Sequence, residues 1–207
     1  MREVVVLNFG TIIHTHARRL LPLLFWTVGL LGVMGLGGCS RSLPQVTPTQ
    51  TSRLTHMIAQ MDRSINRHEA EHLAYEALTY SRTLAARYRV TTSPWVHNFL
   101  VNIGLRDRGL CHQWADDLMV HLEALRLKSI ALYPAGAYIG NYWREHNAIV
   151  VMPRNHSVPL AHAIVLDPWR HGGQLFFASV ANDTRYPWQI RRERMRHRSR
   201  PSTLPPP

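Results

Sequence analysis

Three residues in the second half of the chain carry the side chains that an acyl-transfer site needs: Cys111, His146 and Asp167. A cysteine attacks as its thiolate, a histidine within hydrogen-bond reach withdraws and returns the proton, and a carboxylate fixes the imidazole's tautomer and orientation. Their contexts favour convergence. Gly109-Leu110-Cys111 opens a helical pattern, and a helix N-terminus offers unsatisfied N–H groups and about half a positive charge to an anion. His146 leads the apolar run Asn147-Ala-Ile-Val-Val, and Asp167 closes Val165-Leu166 before Pro168 and Trp169. Adjacent antiparallel strands joined by about a dozen residues can set a residue that starts one beside a residue that ends the other. The alternative for Cys111 is a small core residue, since free cysteine is among the most buried types. Trp114 and Trp169 are candidates to wall a cleft.

A rival constellation lies upstream. His68-Glu69-Ala70-Glu71-His72 fits H-E-x-x-H, which on a helix sets two imidazoles one turn apart for zinc, with Glu69 as base. Asn66, Arg67 and Glu71 make this a solvated face, and no downstream third ligand stands in a recognisable context. The expectation is therefore no metal and no cofactor, with a zinc hydrolase on His68, His72 and Glu69 as the weaker alternative. His162 is a fallback base, His171 a candidate for the cleft edge, and Asp116 with Asp117 a candidate cation face. No phosphate-binding glycine loop, dinucleotide fingerprint or EF-hand loop is present.

The elements that must position these residues follow from periodicity. Gln50 to Ser93 contains no Gly or Pro, and Leu54, Met57, Ile58, Met61 and Ile65 recur at helical spacing, continued by Leu73, Ala77, Tyr80, Leu84 and Tyr88. This predicts one long helix or two divided near Ser64. Ser93-Pro94 starts a short helix that Gly104 ends. Cys111, Ala115, Leu118, Met119, Leu122 and Leu125 share one face of a helix of about 15 residues. The period then changes. Ser129–Tyr133, Asn147–Met152, Ala163–Leu166 and Leu175–Val180 read as strands of an antiparallel sheet. Helices followed by strands predict an α+β fold.

In order and local context, Gly109-Leu110-Cys111 opening a helix, His146 leading a strand and Asp167-Pro168 closing another resemble the transglutaminase-like branch of the papain-like cysteine enzymes, over Arg108 to Trp169. The resemblance implies a helical layer packed on an antiparallel sheet, with Cys111 the nucleophile, His146 the general base and acid, and Asp167 the orienting residue. Papain-like enzymes often carry a Gln shortly before the cysteine as an oxyanion donor; here the nearby positions are Asn102, Ile103, Gly104 and Leu105. The Cys111 backbone N–H is then one donor, with Asn102 as a candidate second. The expected substrate is a peptide or protein amide, including cell-wall stem peptides. A non-enzymatic binding or scaffolding lipoprotein on the same fold remains the alternative.

The remainder of the chain supplies address and charge. Arg18 and Arg19 precede an uncharged apolar run, Leu20 to Leu36, that ends in Gly37-Gly38-Cys39, the organisation of a secretory signal. This resembles the lipobox of bacterial lipoproteins, which implies a signal peptide over 1–38, diacylglycerol and palmitate on Cys39, and, with Ser40 rather than Asp following, the periplasmic face of the outer membrane. The stretch before Arg18 is long for an n-region and points to a true start downstream of Met1. Residues 39–52 read as a lipidated tether, 53–188 as the domain, and 189–207 as a disordered Arg/Pro-rich tail. The whole chain has 207 residues and a formal charge of +11. Removal of the signal leaves +9, of which the tail supplies +5, so the folded part is only mildly basic. The tail suits anionic lipid headgroups, and export argues against nucleic acid as partner. With Cys39 lipidated, Cys111 has no intramolecular disulfide partner in an oxidising compartment.

Overall fold

The computed structural model describes residues 43–191. Cys39, the signal segment and residues 192–207 lie outside them. The described chain folds as α+β: four helices, then a five-stranded antiparallel sheet. Among the described residues no helix is long and apolar enough to cross a membrane.

Helix α1, Pro48–Ala59, begins inside the stretch expected to be tether. Pro48 stands at the first helical position, where its missing N–H costs nothing. Thr47 Oγ1 accepts from the Gln50 amide at 3.2 Å, and Gln50 Oε1 accepts from the Thr47 amide at 2.9 Å. The Pro and Thr that suggested a linker are thus a helix start with a capping box. Leu43 and Val46 already pack on the core, so the domain boundary moves upstream of Arg53.

Helix α2, Arg67–Arg87, is separate from α1, as a division near Ser64 predicts. Asn66 makes the second start, its Oδ1 accepting from His68 N at 2.8 Å and Glu69 N at 3.2 Å. Glu69 has a structural occupation. Its carboxylate accepts from the Lys128 and Ser129 amides at 2.7 Å each, and from Ser129 Oγ at 2.5 Å, tying α2 to the start of the sheet. These bonds hold its pKa below the ordinary glutamate value despite the opposing desolvation. Glu69→Ala should therefore lower stability by about 1–3 kcal/mol, measurable in a denaturant titration, because it strands two amides and a hydroxyl.

Helix α3, Pro94–Asn102, follows, and Gly104, at φ +80°, takes the left-handed turn that ends it. Helix α4 spans Cys111–Glu123 and buries Trp114, Leu118, Met119 and Leu122 against α2 and the sheet. The strands are β1 (Ile130–Ala137), β2 (His146–Pro153), β3 (Ile164–Asp167), β4 (Phe176–Ser179) and β5 (Gln189–Ile190), in spatial order β4-β3-β2-β1-β5.

Two further boundaries differ from expectation. β1 runs four residues past Tyr133, through Pro134 and Gly136, because its outer neighbour β5 is two residues long and leaves β1 nearly an edge, where proline is tolerated. β5 itself lies in the stretch expected to be tail: Gln189 and Ile190 pair with Gly136 and Ala135, and Arg191 pairs with Glu145. The domain therefore extends to Arg191.

β2 is buried along its whole length because both faces of the sheet are covered. Ile149 and Val151, with Ile164 and Leu166 of β3, belong to the core beneath the helices. Ala148, Val150 and Met152, with Val165, pack on the opposite face with Tyr186 and Trp188. A continuous apolar run, not an alternating one, is what a strand with two covered faces requires.

Candidate active site

Side chains alternate along a strand, so His146 shares the face of Ala148 and Val150, and Asp167 that of Val165. The β2–β3 register pairs Ile149 with Leu166, which extends to set Asp167 opposite Ala148 and diagonal to His146. Diagonal neighbours on one face are within reach of a long side chain. His146 Nε2 lies 2.7 Å from Asp167 Oδ2, and the two side chains are 3% and 0% exposed. With Nε2 committed to the carboxylate, Nδ1 is the ring nitrogen left for the thiol.

Asp167 is held from every side. Its Oδ1 accepts from the Trp169 and Arg170 amides at 3.1 Å each, and its Oδ2 also accepts from Arg170 Nε at 2.9 Å. Arg170 then makes a bidentate pair with Asp183, at 2.9 and 2.6 Å, and the Trp188 indole donates to Asp183 at 2.8 Å. The Arg170 guanidinium lies 3.7 Å from the Phe176 ring centre and 4.7 Å from that of Tyr186. Its planar fork meets both carboxylates while its faces meet aromatic rings, an arrangement lysine could not reproduce. The His146 ring is packed among Trp169, Tyr186 and Trp188, with ring centres 4.6–5.6 Å away.

The electrostatics follow from this burial. Desolvation opposes a charged imidazole at His146, but the Asp167 charge and hydrogen bond, aided by the Cys111 side chain, outweigh it and raise its pKa to about 9. Desolvation likewise opposes ionised Asp167, yet His146 and Arg170 bring its pKa below the ordinary aspartate value. The pair is stable as imidazolium and carboxylate.

Cys111 arrives from the helical layer. It is the first residue of α4, half-buried, with Sγ 3.7 Å from Asn147 Nδ2 and 4.0 Å from the Glu145 carbonyl oxygen. The two residues flanking His146 therefore meet the sulfur. Asn147 points to the helical side of β2, as Ile149 and Val151 do, and aims an amide donor at it. The turn before Cys111 is braced by Gln113, whose Oε1 accepts from Gly109 N at 2.7 Å and Leu110 N at 3.1 Å, and by the Trp114 indole, which donates to the Gly109 carbonyl at 2.9 Å. Trp114 is buried packing, whereas Trp169 lines the site beside His146.

Gly109 is required here. At φ +133° it lies against the buried His97 ring, whose Nε2 donates to the Arg108 carbonyl at 2.9 Å, and a Cβ would sit 2.3 Å from that nitrogen. Gly109→Ala should shift the Cys111 turn and lower both stability and Cys111 reactivity; a variant with parental alkylation kinetics would contradict this.

Asn102 sits exposed at the last position of α3, and the amide that the structure aims at Sγ belongs to Asn147. His162 is exposed in the 3₁₀ turn Leu160–His162, on the surface between β2 and β3. His171 is also on the surface, and partial desolvation by the protein on one side of it lowers its pKa. Asp117 is engaged by Tyr88 at 2.6 Å and Arg108 at 2.7 Å. His68 and His72 are exposed on α2 with Glu69 turned to Ser129, and among the described residues no group of three His, Cys, Asp or Glu is disposed to hold a metal. Arg170, Asp183 and Asn147 were not legible as site residues. Arg170 had a local signal, three residues after a strand-ending aspartate; Asp183, thirteen residues further on, had none. No protein-family model, curated protein or solved structure matches this chain.

Proposed function

We propose that the chain is a membrane-anchored periplasmic cysteine hydrolase with a transglutaminase-like fold, acting on amides through Cys111, His146 and Asp167. The observation that carries this reading is the buried His146–Asp167 pair whose strand also sets Asn147 and the Glu145 carbonyl against the Cys111 sulfur. A histidine serving only to pack would not need a charged partner, a second ion pair behind it and a thiol in front.

The chemistry follows from the placement. With the Cys111 proton already resting on His146 Nδ1, the sulfur attacks the amide carbon, forming a C–S bond as the carbonyl electrons move to oxygen. First-turn amides of α4, which have no intrahelical acceptor, and the Asn147 side chain are the donors nearest that oxyanion. Collapse breaks the C–N bond, and His146 returns the proton to the leaving amine. Water, deprotonated by His146, then releases the acid as the C–S bond breaks, and the starting sulfur is restored beside protonated His146. Asp167 stays ionised throughout and holds the ring. The anchor rests on the lipobox-like Gly37-Gly38-Cys39.

The test is chemical. Iodoacetamide added to the folded full chain at neutral pH, followed by peptide mapping, should modify Cys111, and a chelator should leave the rate unchanged. Modification only after unfolding would make Cys111 a core residue and favour the scaffolding alternative. Amide hydrolysis that survives Cys111→Ser and is lost with chelator would favour the zinc alternative.

A further inference from the structure

Helix α3 is built mainly of apolar residues, yet only His97 is buried in it. Trp95, Val96 and Phe99, and beyond the helix Ile103 and Leu105, are all exposed. Trp95, Phe99 and Ile103 are spaced four apart and form one row. This helix is fixed to the candidate site from behind. His97 bonds the Arg108 carbonyl next to Gly109, Asn98 accepts the Trp169 indole N–H at 2.9 Å, and the Trp95 ring meets Trp169 edge-on at 5.2 Å. Trp169 in turn lies against His146.

A second apolar group lies on the β1–β2 loop. Tyr142 and Trp143 are 85% and 82% exposed, and Ile139 is exposed as well. The loop is held in place. Asn141 Oδ1 accepts from the Trp143 and Arg144 amides, Glu145 Oε2 accepts from Gly140 N at 2.8 Å, and Arg191 pairs with Glu145. Glu145 ends the loop with its carbonyl beside the Cys111 sulfur. Both aromatic groups thus stand on supports that also frame the thiol. Apolar exposure on this scale marks a contact surface, and its continuity with the nucleophile says what arrives there. Glu145, the carboxylate that ends this loop, is already engaged by Arg191 and Gly140, so the surface beside the thiol is aromatic and apolar in character.

We propose that Trp95, Phe99 and Ile103 on one support, and Tyr142 and Trp143 on the other, are subsites for the aromatic and apolar side chains flanking the scissile amide of an extended polypeptide. This rests on the acyl-transfer reading of Cys111. Aromatic rings give large contact area at small entropic cost, which suits an extended chain that must be ordered on binding.

The test uses the full chain and two peptidyl chloromethyl ketones, acetyl-Phe-Ala-Phe and acetyl-Lys-Ala-Lys. The Cys111 sulfur forms a bond to the methylene carbon as chloride leaves. Labelling is quantified on the Cys111 peptide by mass spectrometry and divided by the iodoacetamide rate at the same residue. The Phe reagent should be favoured by about tenfold or more, the order expected of apolar side chains entering matched subsites. Trp143→Ala and Phe99→Ala should each bring the normalised ratio towards one. A ratio near one in the parent, with iodoacetamide still reacting in a His146-dependent way, would overturn this proposal and leave the acyl-transfer reading standing. A Cys111 that is inert in the folded chain would overturn both. Rim variants that keep the ratio but no longer float with phosphatidylglycerol vesicles would reassign the surface to lipid and overturn it as well.

Discussion

Asp167→Ala should destabilise the domain by about 3–5 kcal/mol, the cost of removing one partner from a buried ion pair. Asp167 is fully buried and accepts four hydrogen bonds, from His146, Arg170 Nε and the amides of Trp169 and Arg170. Alanine leaves the buried His146 ring without its counter-charge and the Arg170 Nε–H without its acceptor. Asp167→Asn keeps an acceptor for the two amides and should cost less stability. It should still slow Cys111 alkylation, because the amide can present the wrong group to Nε2 and no longer stabilises an imidazolium. Denaturant midpoints for the two variants measure the first effect, and alkylation rates the second. An alanine variant within 1 kcal/mol of the parent would show that the pair does not exist in solution.

The second large effect is on stability as a function of pH. Burial alone would lower the His146 pKa, but Asp167 reverses the sign and brings it to about 9, above the roughly 6.5 of an unfolded chain. Between these values the native state holds a proton that the unfolded state has lost. The contribution is therefore fully present below about pH 6.5 and disappears as pH rises through about 9, removing a few kcal/mol. The cleanest measurement is in Cys111→Ser, where the thiol no longer titrates and Asp167 still raises the His146 pKa. Denaturant midpoints from pH 6 to 9.5 should fall, and the fall should flatten in the additional variant His146→Gln. A profile that rises over this range would contradict the ion pair. The Asp167 shift acts at the other end, where stability is present above the ordinary aspartate range and falls as the pH drops below it.

The sequence carried the order of the elements because its local signals and its tertiary packing agree. The stripes of Leu54 to Tyr88, the Ser93-Pro94 start and the continuous apolar run of β2 each mark the element that forms. Boundaries shifted where a residue has two uses. Pro48 and Pro134 resemble breaks, yet one begins a helix and the other sits in a strand beside a two-residue neighbour. The sheet edge formed by Gln189 and Ile190 was not legible, since two exposed residues beside an arginine run carry no period.

At the site, Cys111, His146 and Asp167 could be read from helix-start and strand-end contexts. The layer behind them could not. Arg170 and Asp183 work because Phe176 and Tyr186 hold the guanidinium between two carboxylates, and that sandwich exists only after β4 and the following turn have folded back. Asn147 was hidden for a simpler reason. It lies inside an apolar strand, and only the position of α4 over that face of the sheet turns a buried amide into a neighbour of the sulfur.

The most direct measurement of the central claim is the pH dependence of Cys111 alkylation in the folded chain, for the parent and for His146→Ala. A cysteine with no base beside it is on the order of 0.3% thiolate at pH 6. Proton transfer to His146 removes that limit, so the parent should react roughly 30- to 100-fold faster than the variant at pH 6, allowing for the lower intrinsic nucleophilicity of a stabilised thiolate. The two rates should converge above about pH 9, the His146 pKa in the parent. Equal rates across the range, or alkylation confined to unfolded protein, would contradict the account.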